Sequence, residues 1–415
     1  MTARTPLLDS HRARGGMLAT YGTHELGAPL VAAFAPLELE YAALRRHCVL
    51  FDAAHRATLE LTGADRLGFL NNMLTQRVAD MRPGESRDSF WLNRKGRLVA
   101  DLRLTELGDR TLIDVDLLVA EETRTSLEAY VFAEDVRIED ATPRTHRLWL
   151  IGPSAARLLD ACVETPPSNT SDATTPPTAP PSSLPPNRAT RGKIDGVPVV
   201  IDRHDLCAEL GFELSVPSEH AERVYARLLE LGEPHDATPA NGSPDPLADH
   251  VRLRPCGWHA INVARLEAGA PIFNLDFDAT NLPAETGLLR DRVDFKKGCY
   301  LGQEIVARMD ALGHPKQTLI ALRFEGREGV DDADIPAPGA ELRASPDPEA
   351  PAIGHITSST ISPMLGAVPI ALAMVRWGSH TPGGRLTLLG DGGPTTGVVQ
   401  DRLRFWPPPR ATKDP

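Results

Sequence analysis

From Thr165 to Thr190 the chain is built of Pro, Ser, Thr and Ala, and Leu184 is its only large apolar residue. Such a stretch buries too little to offset the entropy of ordering it. It is expected to be a disordered surface insertion, with 165–192 as its bounds. This feature constrains the fold directly, because a domain that contains it must be assembled from segments on both sides. Glu233 to Leu247 reads as a weaker loop of the same kind.

The remainder is ample for a large core. The chain has 415 residues, 41% of them hydrophobic, which suits two or three domains. Its 44 basic and 56 acidic residues leave a net charge of −12. On average that surface repels phosphate backbones and anionic lipid, so neither nucleic acid nor a membrane is an expected partner. The five cysteines are Cys48, Cys162, Cys207, Cys256 and Cys299. They form no Cys-x-x-Cys pair, so no metal site is expected. Their wide spacing suits reduced thiols and a cytoplasmic location. Met1 to Gly16 lacks the apolar core of a secretory signal, and no apolar run is long enough to span a bilayer.

Hydrophobic spacing divides the ordered parts. Leu37, Tyr41 and Leu44 lie on a helical face, and Thr58 to Leu61 alternates like a strand. Leu67, Leu70, Met73 and Leu74 predict a helix over 64–74. Strands follow at Ser89–Leu92, Leu98–Leu107 and Thr111–Val115, with turns at Asn93–Gly96 and Gly108–Asp109. A helix over 121–132 and a strand over 136–139 close the unit, which reads as a sheet with helices on one face. Val197–Ile201 and Ala208–Leu214 read as strands. Ser218 to Leu231 reads as a helix that Ser218 can cap, with Val224, Leu228 and Leu231 on one face. After about residue 316 short strands alternate with Gly and Pro, the rhythm of a small barrel or sandwich.

Chemistry concentrates at Phe295-Lys296-Lys297-Gly298-Cys299-Tyr300-Leu301-Gly302-Gln303-Glu304. Lysine charge near a thiol favours the thiolate, the nucleophilic and metal-binding form. The same stretch also reads as a Gly-rich turn in which a small cysteine packs. Gln303 to Leu312 continues as a helix, with Glu304 in the first turn where the helix dipole favours it. His47, Asp52 and His55 fit no metal-ligand spacing and read as packing or surface residues. Trp258 reads as core. No Gly-rich loop has phosphate-binding spacing.

Lys297 to Glu304 resembles the K-G-C-Y-x-G-Q-E motif of the YgfZ family of folate-binding proteins, shared by related mitochondrial iron–sulfur assembly factors. The adjoining Ile305–Arg308 resembles that family as well, and Arg265–Gly269, Leu282–Glu285, Gly354–Ser358 and Val49–Asp52 with His55 resemble the wider glycine-cleavage T-protein superfamily. The resemblance implies an α+β fold of three domains in a ring. Residues 1–57 with 141–315 would form the first folate-binding domain. Residues 58–140 would form a ferredoxin-like domain, and 316–410 a C-terminal β-barrel.

The resemblance further implies tetrahydrofolate, or a one-carbon derivative, in a central cavity. Glu209 matches the superfamily's pterin-binding glutamate, a carboxylate able to accept paired N–H bonds. Asp101 stands where T-proteins carry a functional Asp pair, with Ala100 replacing one member. Lys296, Lys297, Arg308 and Arg376 are the cations expected to meet the anionic tail of folate. Ile261 stands where T-proteins have a folate-holding arginine, and Gly302-Gln303-Glu304 replaces their Gly-Arg-Glu. The resemblance therefore favours a folate-binding accessory role with iron–sulfur enzymes or assembly proteins as partners, and Cys299 as the functional thiol. One thiol is too few for a resident cluster. The alternative is a folate-dependent aminomethyltransferase, and whether the chain is an enzyme stays open.

Overall fold

The computed structural model describes residues 5–23, 26–164, 176, 178–232, 252–325, 335–390 and 393–405. The chain divides into two compact units, 1–89 with 101–261, and 90–100 with 262–415.

The first unit is organised by a seven-stranded sheet. Its order is Val163–Glu164, Ala189–Ile194, Val197–Arg203, Gly211–Pro217, Thr145–Ile151, Cys48–Asp52 and Leu253–Cys256. All the pairings are antiparallel except the last, where Leu253–Cys256 runs parallel to Cys48–Asp52. Side chains alternate across a strand, so each face has its own character. Leu50, Leu148, Leu150, Phe212 and Leu214 lie in the core that the helices Ala155–Cys162 and Ala221–Leu231 cover through Leu158, Leu159, Val224 and Leu228. The intervening residues Arg147, Trp149, Asp202, Glu213 and Ser215 face the other way and are also buried.

A five-stranded sheet supplies the opposing layer. Its order is Ser86–Leu92, Leu98–Glu106, Thr111–Asp116, Arg56–Thr62 and Arg137–Asp140. The tip of its first hairpin, 90–100, groups with the second unit. Helices Arg66–Met73 and Ala120–Glu128 fall at the expected places in the chain. The second stops at Glu128, short of the expected 132, so Tyr130 and Val131 lie beyond it.

The second unit holds a closed six-stranded barrel. Its order is Gln317–Phe324, Val368–Arg376, Ala352–Ser362, Glu341–Arg343, Arg385–Gly390 and Gly393–Val399. Its interior is apolar, filled by Ile320, Leu322, Phe324, Leu342, Ile356, Ala371, Ala373, Val375, Leu386, Leu388 and Val399. The expected α+β class and the C-terminal barrel both hold.

Two expectations change. The Pro/Thr-rich insertion is not a surface loop throughout. Pro181–Ser183 forms a 3-10 turn, Ala189–Ile194 is a strand, and Leu184 is buried in the helix-covered core. Leu184, Ala189 and two buried prolines, Pro176 and Pro181, suffice because strand pairing with Val197–Arg203 satisfies the backbone. Residues 165–175 and 177 of that stretch, and 233–247, lie outside the described residues. Ser218 begins a 3-10 turn, Ser218–His220, and makes no side-chain cap before the helix Ala221–Leu231.

Candidate functional site

The layer between the two sheets of the first unit is ionic. Arg56 holds Asp114 through Nε and Nη2 at 2.9–3.1 Å. Arg147 reaches Asp114 at 3.2 Å and Glu213 at 3.4 Å. His204 meets Glu213 at 2.6 Å. Arg103 joins the sheets, with Nε to Asp202 at 2.7 Å and Nη1 to Asp88 at 3.0 Å. Ser86 donates to the same Asp202 at 2.8 Å. Burial pushes the Asp202 carboxyl above the usual carboxylate range, which Arg103 offsets only in part. Glu213 is driven the other way: burial raises it, but His204, Arg103 and Arg147 outweigh that and bring it to about 2.

The three histidines near Asp52 sit in two opposite kinds of surroundings. Asp52 accepts from Thr5 at 2.6 Å and lies 2.7 Å from His11 and 2.8 Å from His146. Burial raises its carboxyl, yet His146 and His11 hold it well below the usual range. His55, three residues on, is enclosed by Tyr21, Phe51, Trp149 and Trp258, with ring centroids 5.3–5.9 Å away. Neither of its ring nitrogens has a hydrogen-bond partner among the described residues. Burial lowers its pKa to about 3, so the ring is neutral. Asp52 and His55 are therefore interior residues. Trp258 is half-buried and forms part of this aromatic box.

Of the sequence-predicted site residues, Asp101 and Glu209 belong to the first unit. Glu209 follows Ala208, whose φ of 56° marks a tight turn before the strand Gly211–Pro217. Its Oε1 accepts from Arg45 Nη1 at 3.0 Å, and the same guanidinium donates to the Cys207 carbonyl at 3.0 Å. The carboxylate is thus held ionised and oriented, with 20% of its side chain exposed. Sequence reasoning missed Arg45, because the pair is 164 residues apart and nothing local marks it. Asp101 is half-buried on the strand Leu98–Glu106. Ile261, where an arginine was expected in relatives, is fully buried.

Lys296, Lys297, Cys299, Arg308 and Arg376 belong to the second unit. The turn before the helix Gln303–Leu312 is dictated by backbone. Gly302 has φ 79°, and a Cβ there would stand 2.9 Å from the Asn93 carbonyl oxygen. A Cβ on Gly96, φ 69°, would meet Ile305 at 2.7 Å. Both positions therefore need glycine for packing. Lys297 is buried, with its ammonium 5.2 Å from the Tyr300 ring centroid, so it is spent on a cation–π contact. Cys299 and Lys296 are exposed, as are Arg308 on the helix and Arg376 at the end of its barrel strand. Among the other cysteines, burial pushes Cys48 and Cys162 up to about 12 and Cys256 well above its ordinary value, and Cys207 is buried. Among the described residues no three His, Cys, Asp or Glu are grouped to hold a metal ion.

An α+β chain ending in a closed six-stranded barrel shares its fold with a solved protein, the crystal structure of glycine cleavage system aminomethyltransferase T from Bartonella henselae. The superposition has a TM-score of 0.77, covers 97% of both chains and has 22% identity. The family model of the GCVT N-terminal domain matches residues 7–243, and the chain belongs to that family. It is also similar to the aminomethyltransferase of Bacillus cytotoxicus, 25% identical over 380 residues covering 90% of each chain. The mitochondrial aminomethyltransferase of Gallus gallus is 28% identical over 401 residues, 93% of this chain and 88% of that one.

These similarities overturn the YgfZ assignment, and with it the iron–sulfur accessory role and the iron–sulfur partners. The assignment rested on one eight-residue turn. Gly302 in that turn is explained by packing against Asn93, whereas the aminomethyltransferase likeness runs the length of the chain.

Proposed function

We propose that this chain is an aminomethyltransferase, moving a one-carbon unit from an aminomethyl donor to a reduced folate in a soluble compartment such as the cytoplasm. The observation that carries the reading is the end-to-end similarity to aminomethyltransferases, 90% of both chains in one case. A folate-class ligand follows from that relationship, and tetrahydrofolate is the form proposed.

The first unit offers a fitting acceptor. Pterin presents adjacent N–H donors, and an ionised carboxylate is an acceptor only. Arg45 keeps Glu209 ionised and fixes its direction, which is what recognition of such an edge requires. Asp101, half-buried on its strand, is the second proposed contact. Tetrahydrofolate would accept the one-carbon unit; the chain's part is to orient it against Glu209 and Asp101.

The test is methylene-tetrahydrofolate formation from an aminomethyl donor, with tetrahydrofolate affinity measured by fluorescence titration. Wild type should turn over. Glu209→Gln should weaken tetrahydrofolate by about tenfold or more, since a charge-assisted pair is lost. Arg45→Gln should produce a smaller loss of the same kind. Absence of both turnover and saturable folate binding in the wild type would overturn the reading.

A further inference from the structure

The first unit carries a cleft of about 440 Å³. Its walls come from both sheets. Leu107 and Leu112 line one side, and Pro198, Val200 and Pro217 the other. That size and lining suit a small organic molecule.

The rim is charged in an ordered way. Arg137 pairs with Glu139, Glu139 with Arg144 at 3.0 Å, and Arg144 with Glu60 at 3.0 Å. Glu60 then pairs with Arg110 at 3.1 Å, Arg110 with Asp109 at 2.7 Å, and Asp109 with Arg191 at 2.5 Å. Four guanidiniums alternate with three carboxylates, so the ladder carries one excess positive charge and ends on a cation at both ends. This reverses the balance of a chain whose net charge is −12. Three of those arginines, Arg110, Arg144 and Arg191, line the cleft, against one carboxylate, Glu60.

Arg191 is the end that reaches the cleft. Its Nη2 donates to the Leu107 carbonyl and to Asp109. Its Nε and Nη1 have no hydrogen-bond partner among the described residues. An apolar slot closed by an uncompleted guanidinium is complementary to one kind of ligand, a carboxylate on a short apolar body.

We propose that this cleft binds a small free monocarboxylic acid, its apolar part against Leu112, Pro198 and Val200 and its carboxylate completing the ladder at Arg191. The site lies wholly within the first unit and does not depend on the folate reading. A bound acid would brace the two sheets, because Arg191 stands on one and Asp109 adjoins the other.

The experiment uses the full chain, with hydrocinnamate as the probe and hydrocinnamyl alcohol as its neutral counterpart, followed by calorimetry and saturation-transfer NMR. Hydrocinnamate should bind saturably at one site, about tenfold or more tighter than the alcohol, as expected for one charge-assisted hydrogen bond. Arg191→Gln should bring the acid down to the affinity of the alcohol and leave the alcohol unchanged. Val200→Trp, which fills the cleft, should abolish both. Equal affinities for acid and alcohol on the wild-type protein would overturn the proposal without any variant. So would an unaltered affinity in Arg191→Gln, or the absence of saturable binding by the acid.

Discussion

The interior between the two sheets of the first unit and the interior of the barrel are built on opposite principles. The first packs Arg56, Arg103 and Arg147 against Asp114, Asp202 and Glu213, all buried or nearly so. The second is filled by aliphatic side chains and one phenylalanine. A buried charge must find its partner in one geometry, whereas an apolar core asks mainly for volume. The difference teaches that the first unit is specified by pairing and the barrel by shape.

Breaking a pair should therefore cost more than trimming a methyl cluster. Asp202→Ala removes one of Arg103's two carboxylate partners and should lower unfolding free energy by about 4 kcal/mol, read by urea denaturation. The double change Arg103→Met with Asp202→Leu should recover most of that loss. If the double change is as damaging as the single one, pairing is not what the layer depends on. In the barrel, Ile356→Ala should cost about 3 kcal/mol, the ordinary penalty for a cavity, and no compensating partner should rescue it.

The two histidine environments sharpen the comparison through pH. His55 is neutral in the folded protein, with its pKa lowered from 6.5 to about 3. The unfolded chain binds that proton first, so stability falls as pH drops through this window, by about 1.4 kcal/mol per unit well below pH 6.5. His55→Phe should flatten the slope between pH 6 and pH 4, relative to wild type, by roughly that amount. Asp52 acts lower down. Its folded pKa is depressed below the ordinary 3.8, so its contribution is present above that value and lost as pH falls beneath it. Asp52→Asn should remove this acid-side loss while leaving the pH 6 to 4 slope intact. A slope that survives His55→Phe would assign the titration to another group.

The smallest effect belongs to the surface. Arg385 and Glu325 pair at 2.6–2.7 Å on the barrel, fully exposed to screening. Glu325→Gln should leave the denaturation midpoint unchanged. A clear shift there would mean that exposed pairs matter as much as buried ones, and the contrast between the interiors would lose its force.

Much of the fold was legible in the sequence, because hydrophobic period is a property of neighbouring residues. The helix Gln303–Leu312, the strand Val197–Arg203, the helical face of Val224 and Leu228, and the run of short strands after residue 316 all follow from spacing alone. The burial of Leu184 was not legible, since a lone leucine among prolines carries no period. The candidate site was legible only in residue type. Glu209, Asp101 and Cys299 could be singled out, but their surroundings could not.

What the sequence by itself determined is therefore the succession of helices and strands, including the run of short strands after residue 316, which it left open as a barrel or a sandwich. Only the tertiary structure decided which charges meet. An Arg or Asp in a strand looks the same whether it faces water or a partner far along the chain, as Arg45 faces Glu209 and Asp52 faces His146. Periodicity is written into adjacent residues, and pairing across sheets is not.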